Sequence, residues 1–122
     1  MHYSDYKKLN VWRKSMLLAK EVYRLMAFLP ENEKFCLCNQ MRRAVVSIPS
    51  NIAEGNGRNS DREFRRFLEI AQGSRAEIET QLLLCNVLEY LTKEQTSYAL
   101  SLCDDIRRML MVFINYLSRS GD

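Results

Sequence analysis

The chain has little that interrupts a helix. Its 122 residues include only four glycines and two prolines. These are the residues that most often punctuate regular structure, so long periodic segments with so few of them point to an all-helical protein. Histidine is confined to His2, which leaves most of the chain without the commonest proton shuttle and metal ligand. No apolar run approaches the ~20 residues of a membrane span. The opening stretch, Met1-His2-Tyr3-Ser4-Asp5-Tyr6-Lys7-Lys8, lacks the apolar run of a signal peptide. Cysteine is sparse: Cys36, Cys38, Cys85 and Cys103. Cys36-x-Cys38 is not a usual zinc spacing, and no further ligand lies close in sequence. The four are read as reduced thiols, mostly small core residues, in a cytoplasmic protein, with no metal and no cofactor expected.

What is present describes one globular domain over residues 1–122. Hydrophobic residues make up 47% and charged residues 27%, enough apolar matter for a core and too much for a disordered chain. The formal net charge of +3 is mild, and it gains meaning only where the charges cluster.

Four helices are legible. The first is expected over about Val11 to Phe28, with Asn10 as N-cap and Pro30 as its stop. Its apolar positions Leu9, Trp12, Met16, Ala19, Tyr23 and Met26 step by three and four. The second spans about Asn39 to Asn56 on a stripe of Met41, Val45, Ile48 and Ile52. Gly55 and Gly57 are expected to end it through a left-handed cap. Ser60-Asp61-Arg62-Glu63 fits a capping box and opens a third helix with the stripe Phe64, Leu68, Ala71, Ile78 and Leu82, running to about Tyr90. Thr92-Lys93-Glu94-Gln95 is a second capping box. It opens a fourth helix striped by Tyr98, Leu102, Ile106, Met109, Phe113 and Leu117, with Gly121 in a fraying tail. Short joints between four helices imply an antiparallel up-down-up-down four-helix bundle.

Several residues break these patterns. Pro49 removes a helical amide at a cost of about 3 kcal/mol, yet Ile52 stays in phase with Val45 and Ile48. A kinked but continuous helix is therefore expected, with Ser47, Ser50 and Asn51 able to rebond freed backbone groups. Gln40, Arg43, Ser47, Asn51 and Glu54 form a polar line beside the apolar stripe. Their mixed donors and acceptors suggest a half-buried network joining the second helix to the third, with Glu77, and Gln81 beside it, as partners for Arg43. Gly73 suggests close approach of another helix. Arg75 lies between Ala71 and Ile78, where it must reach water, a carboxylate such as Glu54, or a subunit boundary. Leu82, Leu83, Leu84, Val87, Leu88 and Leu91 cannot share one face, and Val46 and Ala53 lie on the outer side of the second helix. That apolar surplus points to self-association.

No nucleophile with an adjacent base is readable, so catalysis is not expected. One feature bears on a charged partner. Arg58, Arg62, Arg65 and Arg66 gather around the start of the third helix, with Arg42 and Arg43 on the second, and free amides at a helix start also attract anions. Arg42, Arg58, Arg62, Arg65 and Arg66 are the candidates for nucleic-acid phosphate contacts, against a reading in which Asp61, Glu63 and Glu69 balance a solvated face.

The motifs together resemble the four-helix protein family encoded by intervening sequences within bacterial 23S ribosomal RNA genes. The matching residues are Tyr6-Lys7-Lys8-Leu9 and Trp12; Gln40 and Arg42-Arg43-Ala44; Ser47-Ile48-Pro49-Ser50-Asn51-Ile52-Ala53-Glu54-Gly55; and Phe67-Leu68-Glu69-Ile70-Ala71-Gln72-Gly73-Ser74 with Ala76-Glu77. The resemblance implies a left-handed antiparallel bundle that can assemble as a homopentamer, without enzymatic activity or cofactor. More remotely the chain is similar to the accessory proteins of diversity-generating retroelements, which are basic pentameric barrels that bind nucleic acid and reverse transcriptase. The expected function is a cytoplasmic, ring-forming helical protein that binds RNA by charge and shape. The alternative is a protein-interaction scaffold without direct nucleic-acid binding.

Overall fold

A computed structural model describes residues 5–119; His2 and Gly121 lie outside the described residues. Four helices carry the chain: α1 Asn10–Met26, α2 Leu37–Asn56, α3 Asp61–Val87 and α4 Lys93–Arg119, with short 3-10 turns at Tyr6–Lys8 and Glu31–Glu33. There is no strand among the described residues. Each helix packs on its neighbours in sequence, and α1 closes against α4. The α2–α3 contacts run in opposite senses along the two helices. Gly55 lies against Phe64 and Phe67, while Ser47 bonds Ser74. The α3–α4 contacts do the same, from Asn86 with Thr96 to Phe64 edge-on to Phe113.

The core follows the expected stripes in α2 and α3, where Met41, Val45, Ile48, Ile52, Phe64, Leu68, Ala71, Ile78 and Leu82 are all buried. In α1 the buried stripe shares only Met26 with the expected one, while Leu9, Trp12 and Ala19 pack partly buried at its edge. Val11, Leu18, Val22, Leu25 and Met26 point inward, whereas Met16 and Tyr23 are exposed. Ser15 hides the inward stripe from a hydropathy reading. It sits fully buried in that row, its hydroxyl satisfied by donating to the Trp12 carbonyl at 2.7 Å. The expected row is therefore a second apolar stripe. In α4, Tyr98 likewise turns outward, and Ala99, Leu102, Cys103, Ile106, Leu110 and Leu117 fill the core.

The helix ends differ in detail from expectation. Asn10 is the first residue of α1 rather than its cap, and Leu9 precedes it in extended conformation without a side-chain cap. At the start of α3 the Ser60 hydroxyl accepts from the Glu63 amide at 3.1 Å. The box at α4 is reciprocal: Thr92 Oγ1 accepts from Gln95 N, and Gln95 Oε1 accepts from Thr92 N. α2 stays one helix through buried Pro49. It ends at Gly57 with φ −85°, so the expected left-handed cap is not there; the last turn tightens instead, with Gly57 N on Glu54 O. The left-handed residue is Glu89, φ 62°, which stops α3 short of Tyr90. Its amide bonds Asn86 O and the Tyr90 amide bonds Cys85 O, the paired closure of a Schellman motif.

The close approach expected at Gly73 falls at Gly55 instead. A side chain on Gly55 would meet Phe67 Cβ at 2.7 Å and Phe64 Cδ1 at 2.9 Å, whereas one on Gly73 would meet nothing within 4 Å. The close helix approach is thus at Gly55. Gly55→Ala should cost about 1–3 kcal/mol by overpacking, and Gly73→Ala should stabilise by up to about 1 kcal/mol through helix propensity. Urea unfolding of the two variants checks the opposite signs.

Burial also governs the thiols. Desolvation pushes Cys85 up to about 11 and Cys103 up to about 12, and it raises Cys38 as well. The unfolded chain loses these protons first, near the ordinary 9.0. The stability they contribute is therefore whole below pH 9 and falls as pH climbs through 11 and 12. At pH 8, iodoacetamide should label exposed Cys36 quickly and the other three only after denaturant is added, as mass spectrometry of the native and unfolded protein would show.

Candidate nucleic-acid interface

The start of α3 gathers the arginines because its sequence places three of them within two turns, directly behind the Ser60 cap. Arg62, Arg65 and Arg66 line one open groove of about 480 Å³ with Ser60, Glu63 and Glu69. Within it the cations are not equivalent. Arg66 reaches Glu63 at 3.4 Å, and Arg58, from the α2–α3 turn, reaches Glu54 at 2.7 Å. Both guanidinium groups also lie over Phe67, 4.9 and 4.8 Å from its ring centre. Arg62 and Arg65 form no ion pair or side-chain hydrogen bond among the described residues.

These pairs are exposed, and exposed ion pairs contribute little, of order 0–1 kcal/mol. Phosphate can therefore compete for Arg58 and Arg66, while Arg62 and Arg65 need surrender nothing. The interleaved carboxylates make this a patch with two uncommitted cations rather than a uniform positive field.

Arg42 does not belong to it. It lies sixteen residues before Arg58, ~24 Å along a helix, and donates to Lys34 O and Asn39 Oδ1. Two arginines of α4 are committed too: Arg107 and Arg108 bond Asp104, and Arg108 also bonds Asp105. The Arg107 hydrogen bond, the largest influence, holds the Asp104 carboxyl below its ordinary range.

The polar line on α2 divides into three parts. Ser47 Oγ and Ser74 Oγ are 2.8 Å apart, and Asn51 Nδ2 donates to both the carbonyl and the hydroxyl of Ser47. Gln40, Arg43 and Glu77 line a groove of about 510 Å³ beside them, and Arg43 makes no ion pair with Glu77 there. Glu54 turns away to Arg58. Gln81 is buried, with Oε1 lacking a donor. Arg75 finds neither Glu54 nor open water: its side chain is 12% exposed and bonds Glu79 and Gln72. Gln72 in turn donates to Arg107 O on α4.

Sequence reasoning missed two participants, Phe67 as the platform under Arg58 and Arg66, and Ser74 as the partner of Ser47. The spacing of Phe67 one turn after Glu63 was available as a signal. The pairing of Ser47 with Ser74 was not, because it depends on how α2 and α3 align.

Comparison with known proteins sets this geometry in context. The family model described as 23S rRNA-intervening sequence protein matches residues 7–112. A crystal structure of a protein of unknown function from the S23 ribosomal protein family of Bacteroides thetaiotaomicron VPI-5482 superposes with a TM-score of 0.79 at 31% sequence identity. The alignment covers 85% of this chain and 97% of that one. No curated protein matches the chain.

Proposed function

The chain belongs to the family of 23S rRNA-intervening sequence proteins, and from that premise we propose that it is a non-enzymatic, cytoplasmic, homo-oligomeric helical protein that binds structured RNA through backbone phosphates. The observation that carries the RNA reading is the groove at the start of α3, where exposed Arg62 and half-buried Arg65 can meet a polyanion without a carboxylate to release. The cytoplasmic placement is supported by four free cysteines, which suit a reducing compartment. Recognition rests on charge and shape, since the groove offers guanidinium groups and no row of stacking aromatics.

Self-association is supported by the second apolar stripe of α1. Trp12, Met16, Ala19 and Tyr23 share an outer groove of about 430 Å³ with Tyr6, Val46, Pro49, Ser50 and Ala53 of the first turn and α2. Met16, Tyr23 and Val46 each leave over two-fifths of their surface exposed there. A second copy covering this groove would bury the surplus, and a ring of five subunits, as the family resemblance implies, would repeat the arginine groove around its circumference. A helical scaffold for another protein would use the same apolar groove.

Two measurements test the reading. In light scattering, Met16→Glu combined with Val46→Glu should convert the oligomer to a monomer of unchanged helicity by circular dichroism. In fluorescence anisotropy with a structured RNA, Arg62→Ala combined with Arg65→Ala should weaken binding about tenfold or more and lower the salt slope by roughly 1–2, the loss of one or two phosphate contacts. A salt-independent affinity, or one unmoved by the double substitution, overturns RNA binding in favour of the scaffold.

A further inference from the structure

The groove between α2 and α3 makes no use of the charges that line it. Arg43 and Glu77 face it from opposite helices, yet neither has an ion pair or side-chain hydrogen bond among the described residues. In its lining, Ser47 and Ser74 share one hydrogen bond at 2.8 Å, and Asn51 Nδ2 already donates to Ser47 Oγ at 2.9 Å. Two hydroxyls carry two protons, and their mutual bond uses one, whichever direction it runs. One hydroxyl proton therefore has no acceptor within the pair.

The lining holds two complementary kinds of group. Arg43 and the spare hydroxyl proton suit a carboxylate, and Glu77, across the groove on α3, suits an ammonium group. We propose that this groove is a binding site for a small zwitterion, an α-amino acid or the like, whose carboxylate is held by Arg43 and the serine hydroxyls and whose ammonium is held by Glu77. The groove's volume of about 510 Å³ leaves room for a side chain, and Gln40 at its rim can hydrogen-bond a polar one. The site excludes Arg62, Arg65 and Arg66 and stands independently of the RNA reading.

The test is isothermal titration calorimetry of the intact protein with each of the twenty α-amino acids at up to 10 mM. The N-acetyl form and methyl ester of any binder serve as controls. At least one amino acid should give saturable heat. Removing either its ammonium or its carboxylate charge should weaken binding tenfold or more, as should Arg43→Gln or Glu77→Gln, while Lys20→Gln, exposed on α1 and outside the groove, leaves it unchanged. Both charge-removing variants are surface substitutions, and circular dichroism verifies that they fold. Absence of binding for all twenty overturns the proposal, as does an affinity indifferent to both Arg43→Gln and Glu77→Gln. A double-mutant cycle on unfolding that shows Arg43 and Glu77 coupled strongly to each other in the free protein also overturns it.

Discussion

The arrangement depends on one missing side chain. Because Gly55 carries no Cβ, Phe64 and Phe67 can rest directly on the backbone of α2. That contact brings the end of α2 and the start of α3 together and aligns them. Two turns back along α2, the same alignment brings Ser47 to Ser74. At the contact itself it holds Phe67 where Arg58 and Arg66 lie over it. The core term and the placement of the polar groups thus arise from the same close approach, and neither groove on this face would have its present lining without it.

Around that contact the molecule distributes charge unevenly. Most arginines are committed locally: Arg24 to Glu21, Arg75 to Glu79, and Arg107 and Arg108 to Asp104 and Asp105. These pairs hold helix surfaces together without leaving a field. Three exceptions lie on the α2–α3 side, where Arg43, Arg62 and Arg65 are uncommitted. A net charge of +3 says nothing about that concentration. The distribution comes from which carboxylates fall one helical turn away on the same face.

The far end of the bundle is closed by different means. Asn86 donates to Leu91 O, Thr92 O and Thr96 Oγ1, drawing the left-handed turn at Glu89 onto the start of α4. Tyr90 donates to Glu33 at 2.7 Å, tying that turn to the one between α1 and α2. The bond stabilises the neutral phenol and raises the Tyr90 pKa. Polar side chains do here what phenylalanine and glycine do at the other end, and the two ends leave the middle of the α2–α3 face as the place where polar groups meet without being used up.

Much of this was legible from residue order. Helix number, the capping box of α4 and the Ser60 cap of α3, the stripes of α2 and α3 and the passage of α2 through Pro49 follow from local periodicity and turn chemistry, which act over three or four residues and need no knowledge of neighbours. Periodicity alone could not choose between two apolar rows in α1, because the inward row is broken by Ser15 and only packing against α2 and α4 decides which row is covered. Nor could it tell that Gly55 rather than Gly73 marks the close approach, that Arg42 stands apart from the other arginines, or that Arg75 turns to Glu79 instead of Glu54. Those outcomes depend on the alignment of one helix against another. Local sequence determined where the helices are and which residues were available to meet; tertiary packing decided which of them did.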